Sequence, residues 1–256
     1  MEFQDRIRRK KGKQKIVMLT AYDCQMAKVL DKTNIDLILV GDSLGMVVQG
    51  HVDTKSVTMT DMIYHTKAVA NGTEKTPIIG DMPMNSYNTV KDALENARKF
   101  LKAGAHGVKI EGNSPEVVRT LIDAEIPVMG HVGMLPQKAK IYRVKGKEPE
   151  EAEEIYRDAI SLDELGVFST VLECIPESLA RRITMNVENP TIGIGAGRYC
   201  DGQVLVVNDM LGFDESFAPK FVKRYAHLGE MVKKAVAQFV DEVSRGAYPD
   251  EEHTYH

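Results

Sequence analysis

Three acidic side chains each come within two residues of a short run rich in Leu, Ile or Val, at widely separated points of the chain. They are Asp42, Asp81 and Glu111. Carboxylates at the ends of buried strands lose solvation unless a cation or a hydrogen-bond donor pairs with them. Oxygen ligands alone suit Mg²⁺ or a similar hard cation better than zinc. The pattern therefore favours a metal site formed by the three acids. The alternative is that each acid is a helix N-cap or an exposed loop residue.

Lys109 and Glu111 lie two residues apart on one short predicted strand. Because side chains alternate along a strand, both point to one face, while Val108 and Ile110 point to the other. If the apolar pair faces the helices, the charged pair faces the interior of the sheet. The arrangement fits a lysine that holds a substrate carboxylate beside a metal ligand. A surface pair on an edge strand is the alternative.

Glu173 and His131 also follow predicted strands. A carboxylate in a poorly solvated mouth has a raised pKa, which suits a general base, so Glu173 is the candidate base. A solvated acid at a strand end is the alternative. His131 is either a substrate contact or a structural histidine. Cys174 is interpreted as a structural thiol, because no His or Asn pattern supports a nucleophile.

Strand and helix patterns alternate about eight times, which predicts a parallel sheet with helical crossovers. We expect a closed (β/α)8 barrel, one domain over residues 1–256 with N-terminal and C-terminal helical extensions. An open doubly wound sheet is the alternative, but only a closed ring brings all of the acids to one face. The predicted strands are 16–20, 37–40, 77–80, 108–110, 127–130, 170–172, 191–194 and 204–207, and the final helices span about 217–243.

The composition excludes several classes of protein. Of 256 residues, 43% are hydrophobic and 27% are charged, which is typical of a soluble globular protein. The net charge of -4 gives no reason to expect a nucleic-acid partner. No apolar run approaches the roughly 20 residues of a membrane helix, and the N-terminus lacks a secretory pattern. Three distant cysteines predict reduced thiols and a cytoplasmic protein.

Three further segments have predicted roles. The basic run 6–15 is predicted to be a solvated helix or a cover for the barrel bottom, rather than an arm for RNA or lipid. The segment 133–148 has no strong period and is predicted to be a functional loop, often a lid. The glycines of 193–197 resemble a dinucleotide loop, but a strand follows where that loop needs a helix, so a nicotinamide oxidoreductase is disfavoured.

Several motifs together resemble the ketopantoate hydroxymethyltransferase family over nearly the whole chain. They are Thr20-Ala21-Tyr22-Asp23, Leu39 to Met46, Gln49-Gly50-His51, Tyr64-His65-Thr66, Gly80-Asp81-Met82-Pro83, Val108 to Gly112, Gly130 to Gly133, Pro136-Gln137, Leu172-Glu173-Cys174, Gly193 to Gly197, Asp201 to Val206 and Tyr248 to His253. Met84 and Met134-Leu135 depart from the family pattern, and the loop after Ile141 is shorter than in some relatives.

The resemblance implies a (β/α)8 barrel of the phosphoenolpyruvate/pyruvate type. It also implies transfer of a hydroxymethyl group from 5,10-methylenetetrahydrofolate to 3-methyl-2-oxobutanoate through a magnesium-stabilised enolate, giving 2-dehydropantoate for pantothenate and coenzyme A synthesis. The family commonly forms a homodecamer. By resemblance, Mg²⁺ binds at Asp42, Asp81 and Glu111, the keto acid contacts Asp42, Ser43, Asp81 and Lys109, and Glu173 accepts the proton.

Two other functions stay open at this point. A related barrel enzyme that makes or breaks a C–C or C–P bond in a 2-oxo acid would share the metal site without needing folate. A barrel that has lost activity and serves as a binding or assembly module predicts a missing base or metal ligand, and none is missing from this sequence.

Overall fold

Eight parallel strands close into a barrel in which neighbours in sequence are neighbours in space. A computed structural model describes residues 2–139, 141–214, 216 and 219–256. The strands are β1 (Ile16–Thr20), β2 (Leu37–Val40), β3 (Ile78–Asp81), β4 (Gly107–Lys109), β5 (Val128–Gly133), β6 (Ser169–Glu173), β7 (Thr191–Ile194) and β8 (Gly202–Leu205). Strand β1 pairs with both β2 and β8, so the ring is complete. The predicted barrel is confirmed, and the open sheet is wrong.

The helices that alternate with the strands begin at side-chain caps where the sequence supplies them. They are α1 (Phe3–Arg8), α2 (Cys24–Asp31), α3 (Leu44–Val47), α4 (Met59–Ala70), α5 (Val90–Lys102), α6 (Pro115–Asp123), α7 (Pro149–Leu165), α8 (Glu177–Asn186), α9 (Val207–Leu211) and α10 (Leu228–Ser244), with a 3-10 turn at Glu251–His253. Asp23 and Thr89 accept backbone N–H bonds at the starts of α2 and α5. Helix α4 is capped by Thr58 and Asp61, which form a reciprocal capping box.

The strands place apolar and polar side chains in successive levels of the barrel interior. Ile79, Met129 and Val171 belong to the buried central cluster. Because side chains alternate in a strand, the residue two positions later in each of these strands faces the same interior. Those residues are Asp81 and Glu173 on β3 and β6, and His131 on β5. The apolar cluster therefore supports a polar level nearer the carboxyl ends of the strands.

Helix α1 covers the amino-terminal end of the barrel. Ile7 is fully buried in the central cluster, and Phe3 packs against it. The Phe3 ring lies edge-on to Phe168, with 5.4 Å between ring centroids. The basic run that begins at residue 6 therefore covers the barrel bottom, which is one of the two structures expected for it.

Glycines in two places are explained by close packing of side chains. A Cβ at Gly80 on β3 would lie 2.2 Å from the Phe100 ring of α5, so only glycine lets this helix approach the strand. A Cβ at Gly197, where φ is +79°, would lie 2.5 Å from Glu177. At Gly197 the backbone therefore packs closely against a side chain of α8.

The C-terminal part differs from the sequence prediction. Val207 begins α9 instead of ending β8. Residues 219–227 are turns and irregular backbone, so the last long helix starts at Leu228. The predicted start of the final helices, Phe217, lies outside the described residues. The chain divides into two compact units, Met1–Val206 and Val207–His256. The single domain over 1–256 stays a prediction.

Helix α10 confirms that the predicted C-terminal helical region ends near Val243. Its apolar side chains recur at helical spacing, yet it has no buried residue. Phe239 and Val240 are more than half exposed. Among the residues that the structure describes, no helix is both long and apolar enough to cross a bilayer.

Candidate active site

Six titratable side chains converge at the carboxyl ends of β2 to β6. They are Asp42, Asp81, Lys109, Glu111, His131 and Glu173. The first five are at most 5% exposed, whereas the Glu173 side chain is 17% exposed. A substrate entering from the barrel mouth would therefore meet Glu173 before it reached the others.

Lys109 is the cation of this cluster. Its Nζ lies 2.8 Å from Asp81 Oδ1, and the two residues are direct neighbours in the β3–β4 register. Burial opposes its charge, but Asp81, Glu111 and Asp42 outweigh that and raise the pKa of Lys109 above its usual value. Lys109 therefore stays protonated and can hold an anion.

Two carboxylates are desolvated side by side. Burial raises the pKa of Asp81 to about 7, although the charge of Lys109 acts in the opposite direction. Burial also raises the pKa of Asp42, again against Lys109. The backbone N–H of Asp42 donates to Asp81 Oδ2 at 3.2 Å, which ties the end of β2 to β3. Both groups would gain from a bound cation that supplies the missing positive charge.

His131 and Glu173 form the base side of the cluster. Burial, followed by the charge of Lys109, holds the pKa of His131 well below its usual range, so the ring is neutral. Its Nδ1 lies 3.3 Å from Lys109 Nζ, and a protonated lysine can only donate. The ring proton is then on Nε2, which faces Glu173 Oε2 at 3.1 Å without the alignment of a hydrogen bond. Burial raises the pKa of Glu173 to about 7.

Ser43 lies at the edge of the cluster, directly after Asp42. Its Oγ is 2.8 Å from the hydroxyl of Tyr22, which is buried. The carbonyl of Tyr22 is in turn 2.6 Å from His65 Nδ1. The half-buried hydroxyl of Ser43 is thus fixed beside the acids by a tyrosine that follows β1.

The chain is similar to one known protein family over most of its length. A family model described as ketopantoate hydroxymethyltransferase matches residues 1–251. The chain belongs to this family. A 3-methyl-2-oxobutanoate hydroxymethyltransferase of Clostridium botulinum (strain 657 / Type Ba4) is 50% identical over 94% of this chain and 90% of its own. The corresponding enzyme of Caldicellulosiruptor saccharolyticus is 49% identical over 97% and 96%.

Membership of the ketopantoate hydroxymethyltransferase family confirms that the chain is an enzyme, a transferase, and supports its assignment to pantothenate synthesis. An inactive binding module and a nicotinamide oxidoreductase are accordingly excluded. Solved structures with the same fold include phosphonopyruvate hydrolase, with a TM-score of 0.67 and 11% identity over 100% of this chain and 92% of that chain. Another is 2,3-dimethylmalate lyase of the PEP mutase/isocitrate lyase superfamily, with a TM-score of 0.63 and 18% identity over 99% and 92%.

The carboxylates of this site fit a magnesium ion that takes few of its ligands from the protein. Within the described ranges, no three His, Cys, Asp or Glu side chains are grouped so that they hold a metal together. Among the described residues, Glu111 Oε1 is nevertheless buried without a hydrogen-bond partner, and Asp81 Oδ1 is buried with Lys109 Nζ 2.8 Å away. Mg²⁺ commonly takes one or two carboxylates and completes its shell with water and substrate oxygens. The residues fit that kind of site, and direct binding by Asp42, Asp81 and Glu111 together stays a prediction.

Two residues of the site were not among the candidates from the sequence. Gln137 is 2% exposed, and its side-chain Nε2 donates to Asp42 Oδ2 at 2.9 Å. The Tyr87 hydroxyl donates to Gln137 Oε1 at 2.7 Å. Gln137 lies in the long segment after β5 that was predicted only as a functional loop. The Pro136-Gln137 dipeptide in the family resemblance was the one signal that pointed to it.

Proposed function

We propose that this enzyme transfers a hydroxymethyl group from 5,10-methylenetetrahydrofolate to 3-methyl-2-oxobutanoate with the help of Mg²⁺, giving 2-dehydropantoate. The observation that carries the proposal is a partly exposed carboxylate, Glu173, whose pKa is raised to about 7 beside a buried cation. A base with that pKa can take a proton from carbon at neutral pH. Family membership and relatives near 50% identity supply the substrate class.

The residues divide into two groups by the part of the keto acid that they serve. Glu173 removes the proton from C3, and His131 holds its neutral ring against the same carboxylate and against Lys109. Lys109 and Ser43 bind the carboxylate end of the substrate, so that C3 points to Glu173. These roles use the charge of Lys109 and the hydroxyl of Ser43 where they already lie.

Asp42, Asp81 and Glu111 would hold Mg²⁺, directly or through water. A bound Mg²⁺ supplies Lewis-acid stabilisation of the negative charge that develops on the keto oxygen. The carbanionic C3 forms the new C–C bond to the methylene carbon as the first of its two bonds to folate nitrogen breaks. Water then supplies the hydroxyl to the same carbon as the second C–N bond breaks. The proton taken from C3 and one proton of the water pass to the two folate nitrogens, which gives tetrahydrofolate. Burial keeps this charge in a poorly hydrated site, where fixed groups act more strongly than they do in bulk water.

The reaction is tested by incubating the protein with 3-methyl-2-oxobutanoate, methylenetetrahydrofolate and Mg²⁺ and reading the product by mass. We expect 2-dehydropantoate and tetrahydrofolate in equal amounts, and no 2-dehydropantoate when the folate is omitted. Cleavage of a 2-oxo acid without folate would instead support the lyase-type alternative. Binding of NAD(P) is expected to be absent.

The rate of C3 proton exchange should rise with pH. The pKa of Glu173 is raised to about 7 in the folded enzyme, so the fraction of the basic form increases from pH 6 to pH 8. NMR in D₂O with saturating Mg²⁺ and keto acid, without folate, measures this exchange. Calorimetry of keto-acid binding at each pH is the control. An exchange rate that stays flat or falls between pH 6 and pH 8 would contradict the assigned base.

Replacing Asp81 by asparagine should weaken Mg²⁺ binding by at least about tenfold, since even hydrogen-bonding partners of metal ligands contribute that much. The change keeps the shape of the side chain and removes its charge. Calorimetric titration with Mg²⁺ measures the effect, and Asp123→Asn at the end of α6 is the matched control. Equal Mg²⁺ affinity in Asp81→Asn and the wild type would remove Asp81 from the metal site.

The homodecamer and the cytoplasmic location stay proposals. Sedimentation velocity of the purified chain tests the first, and a mass ten times that of one chain is the expected result. Fractionation of the source cells tests the second.

A further inference from the structure

We propose that Gln137, together with Tyr87, is a positioning device that orients Asp42 and Glu111 for the cation; the proposal rests on the metal site of the proposed function. We call this pair the Gln137–Tyr87 clamp. Gln137 lies beyond β5, and Tyr87 lies between β3 and α5. In this proposal neither residue contacts the reacting atoms. Both act through the carboxylates to which they are hydrogen-bonded.

The side-chain amide of Gln137 has both N–H donors and one lone pair of its oxygen committed in one orientation. Its Nε2 donates to Asp42 Oδ2 at 2.9 Å and to the carbonyl of Met82 at 3.0 Å. Its Oε1 accepts from the Tyr87 hydroxyl at 2.7 Å. A flipped amide would set an oxygen against two acceptors, so only this orientation is stable. The Asp42 carboxylate is therefore held at a fixed rotation.

The same two residues hold Glu111. The backbone N–H of Gln137 donates to Glu111 Oε2 at 3.1 Å. The backbone N–H of Glu111 donates to the Tyr87 hydroxyl at 3.3 Å, so that hydroxyl both accepts and donates. One continuous chain of hydrogen bonds thus runs from the end of β4 through Tyr87 and Gln137 to Asp42.

The clamp leaves one oxygen of Glu111 free and aimed into the cluster. Oε2 is occupied by Gln137, whereas Oε1 is buried and has no hydrogen-bond partner among the residues that the structure describes. A buried carboxylate oxygen without a partner costs free energy unless a ligand completes it. His131 Nδ1 is 3.7 Å away, beyond hydrogen-bond distance. The unpaired oxygen is the atom that a cation or its water would contact.

A neutral amide side chain suits the orientation of these two carboxylates better than a cationic side chain would. Gln137 is neutral, so it orients two carboxylates without cancelling the negative charge that attracts Mg²⁺. Lys109 already supplies a positive side chain that contacts Asp81. A second cation at position 137 would compete with the metal. Partners that orient metal ligands in this way typically contribute about 10- to 100-fold to metal affinity.

The experiment is calorimetric titration with Mg²⁺ alone, without keto acid or folate. Gln137→Met keeps the volume of the side chain and removes its donors and acceptor, and we expect a 10- to 100-fold loss of Mg²⁺ affinity. Tyr87→Phe removes one hydroxyl and should lose about threefold. Because both act through one hydrogen-bond chain, the double variant should lose no more than Gln137→Met does. The exposed Gln25→Met and Tyr255→Phe are the matched controls.

A second measurement separates positioning from a purely structural role. At saturating keto acid and folate, a raised Mg²⁺ concentration should restore most of the kcat of Gln137→Met, which it would not do if the fold itself were lost. The far-UV spectrum should match that of the wild type. If Gln137→Met binds Mg²⁺ as tightly as the wild type, the clamp is overturned and the proposed function stands. If the wild type itself binds no Mg²⁺ at millimolar concentration, both the metal site and the clamp are overturned.

Discussion

Replacing Glu173 by glutamine should slow exchange of the C3 proton of 3-methyl-2-oxobutanoate by about 10²- to 10⁴-fold, which is the usual contribution of a general base. Glutamine keeps the shape of the side chain but cannot take up the proton. Keto-acid binding should change little, because Lys109 and Ser43 are untouched and His131 Nε2 can still face an oxygen at position 173. NMR in D₂O measures the exchange, and calorimetry measures the binding.

The control for this change is Glu164→Gln, which alters an exposed acid near the end of α7 and should leave exchange at the wild-type rate. Exchange at the wild-type rate in Glu173→Gln would remove Glu173 as the base. Loss of keto-acid binding instead of exchange would mean that Glu173 holds the substrate rather than its proton.

Replacing Lys109 by methionine should destabilise the folded enzyme by about 3–5 kcal/mol at pH 8 in the presence of EDTA, because it leaves buried acids without their cation. The chelator prevents a metal ion from taking the place of the lysine. Lys109 is 4% exposed and lies 2.8 Å from Asp81 Oδ1, so solvent cannot compensate for its loss. Chemical denaturation of the two proteins measures the difference.

The penalty should be smaller at pH 6 than at pH 8. The pKa of Asp81 is raised from 3.8 to about 7 in the folded state, so folding takes up a proton in this range and stability falls as pH rises toward the folded pKa. The charge of Lys109 limits the rise in the pKa of Asp81. Without Lys109 the folded pKa of Asp81 moves higher still, and the loss of stability continues past pH 7. The variant and the wild type therefore diverge between pH 6 and pH 8.

Lys102→Met is the matched control for Lys109→Met, because Lys102 is exposed at the end of α5. We expect a change within about 0.5 kcal/mol for this surface substitution. A penalty for Lys109→Met that is equal at pH 6 and pH 8 would contradict the charge balance assigned to the cluster. The same variant should also bind the keto acid more weakly in the presence of Mg²⁺.

The sequence by itself was sufficient for the order of the elements and for the side of the barrel on which the acids lie. Unbroken apolar runs marked most of the strands to within one or two residues, because a strand buried on both faces needs them. Alternation along β4 correctly put Lys109 on the interior face, beside Asp81, and Glu111, which lies two residues past the end of β4, is also buried. The eighth strand was misplaced because Val207 continues an apolar pattern that the backbone ends two residues earlier.

Only the tertiary structure decided which atoms meet. Periodicity describes neighbours along one strand or helix, whereas Gln137 and Tyr87 reach Asp42 and Glu111 from loops whose paths depend on packing across the barrel. The protonation of the cluster was equally hidden, since the pKa of Asp81 near 7 depends on burial and on the nearby charges of Lys109 and Asp42. Residue order determined the candidate chemistry, and long-range contacts determined which oxygens stay free to perform it.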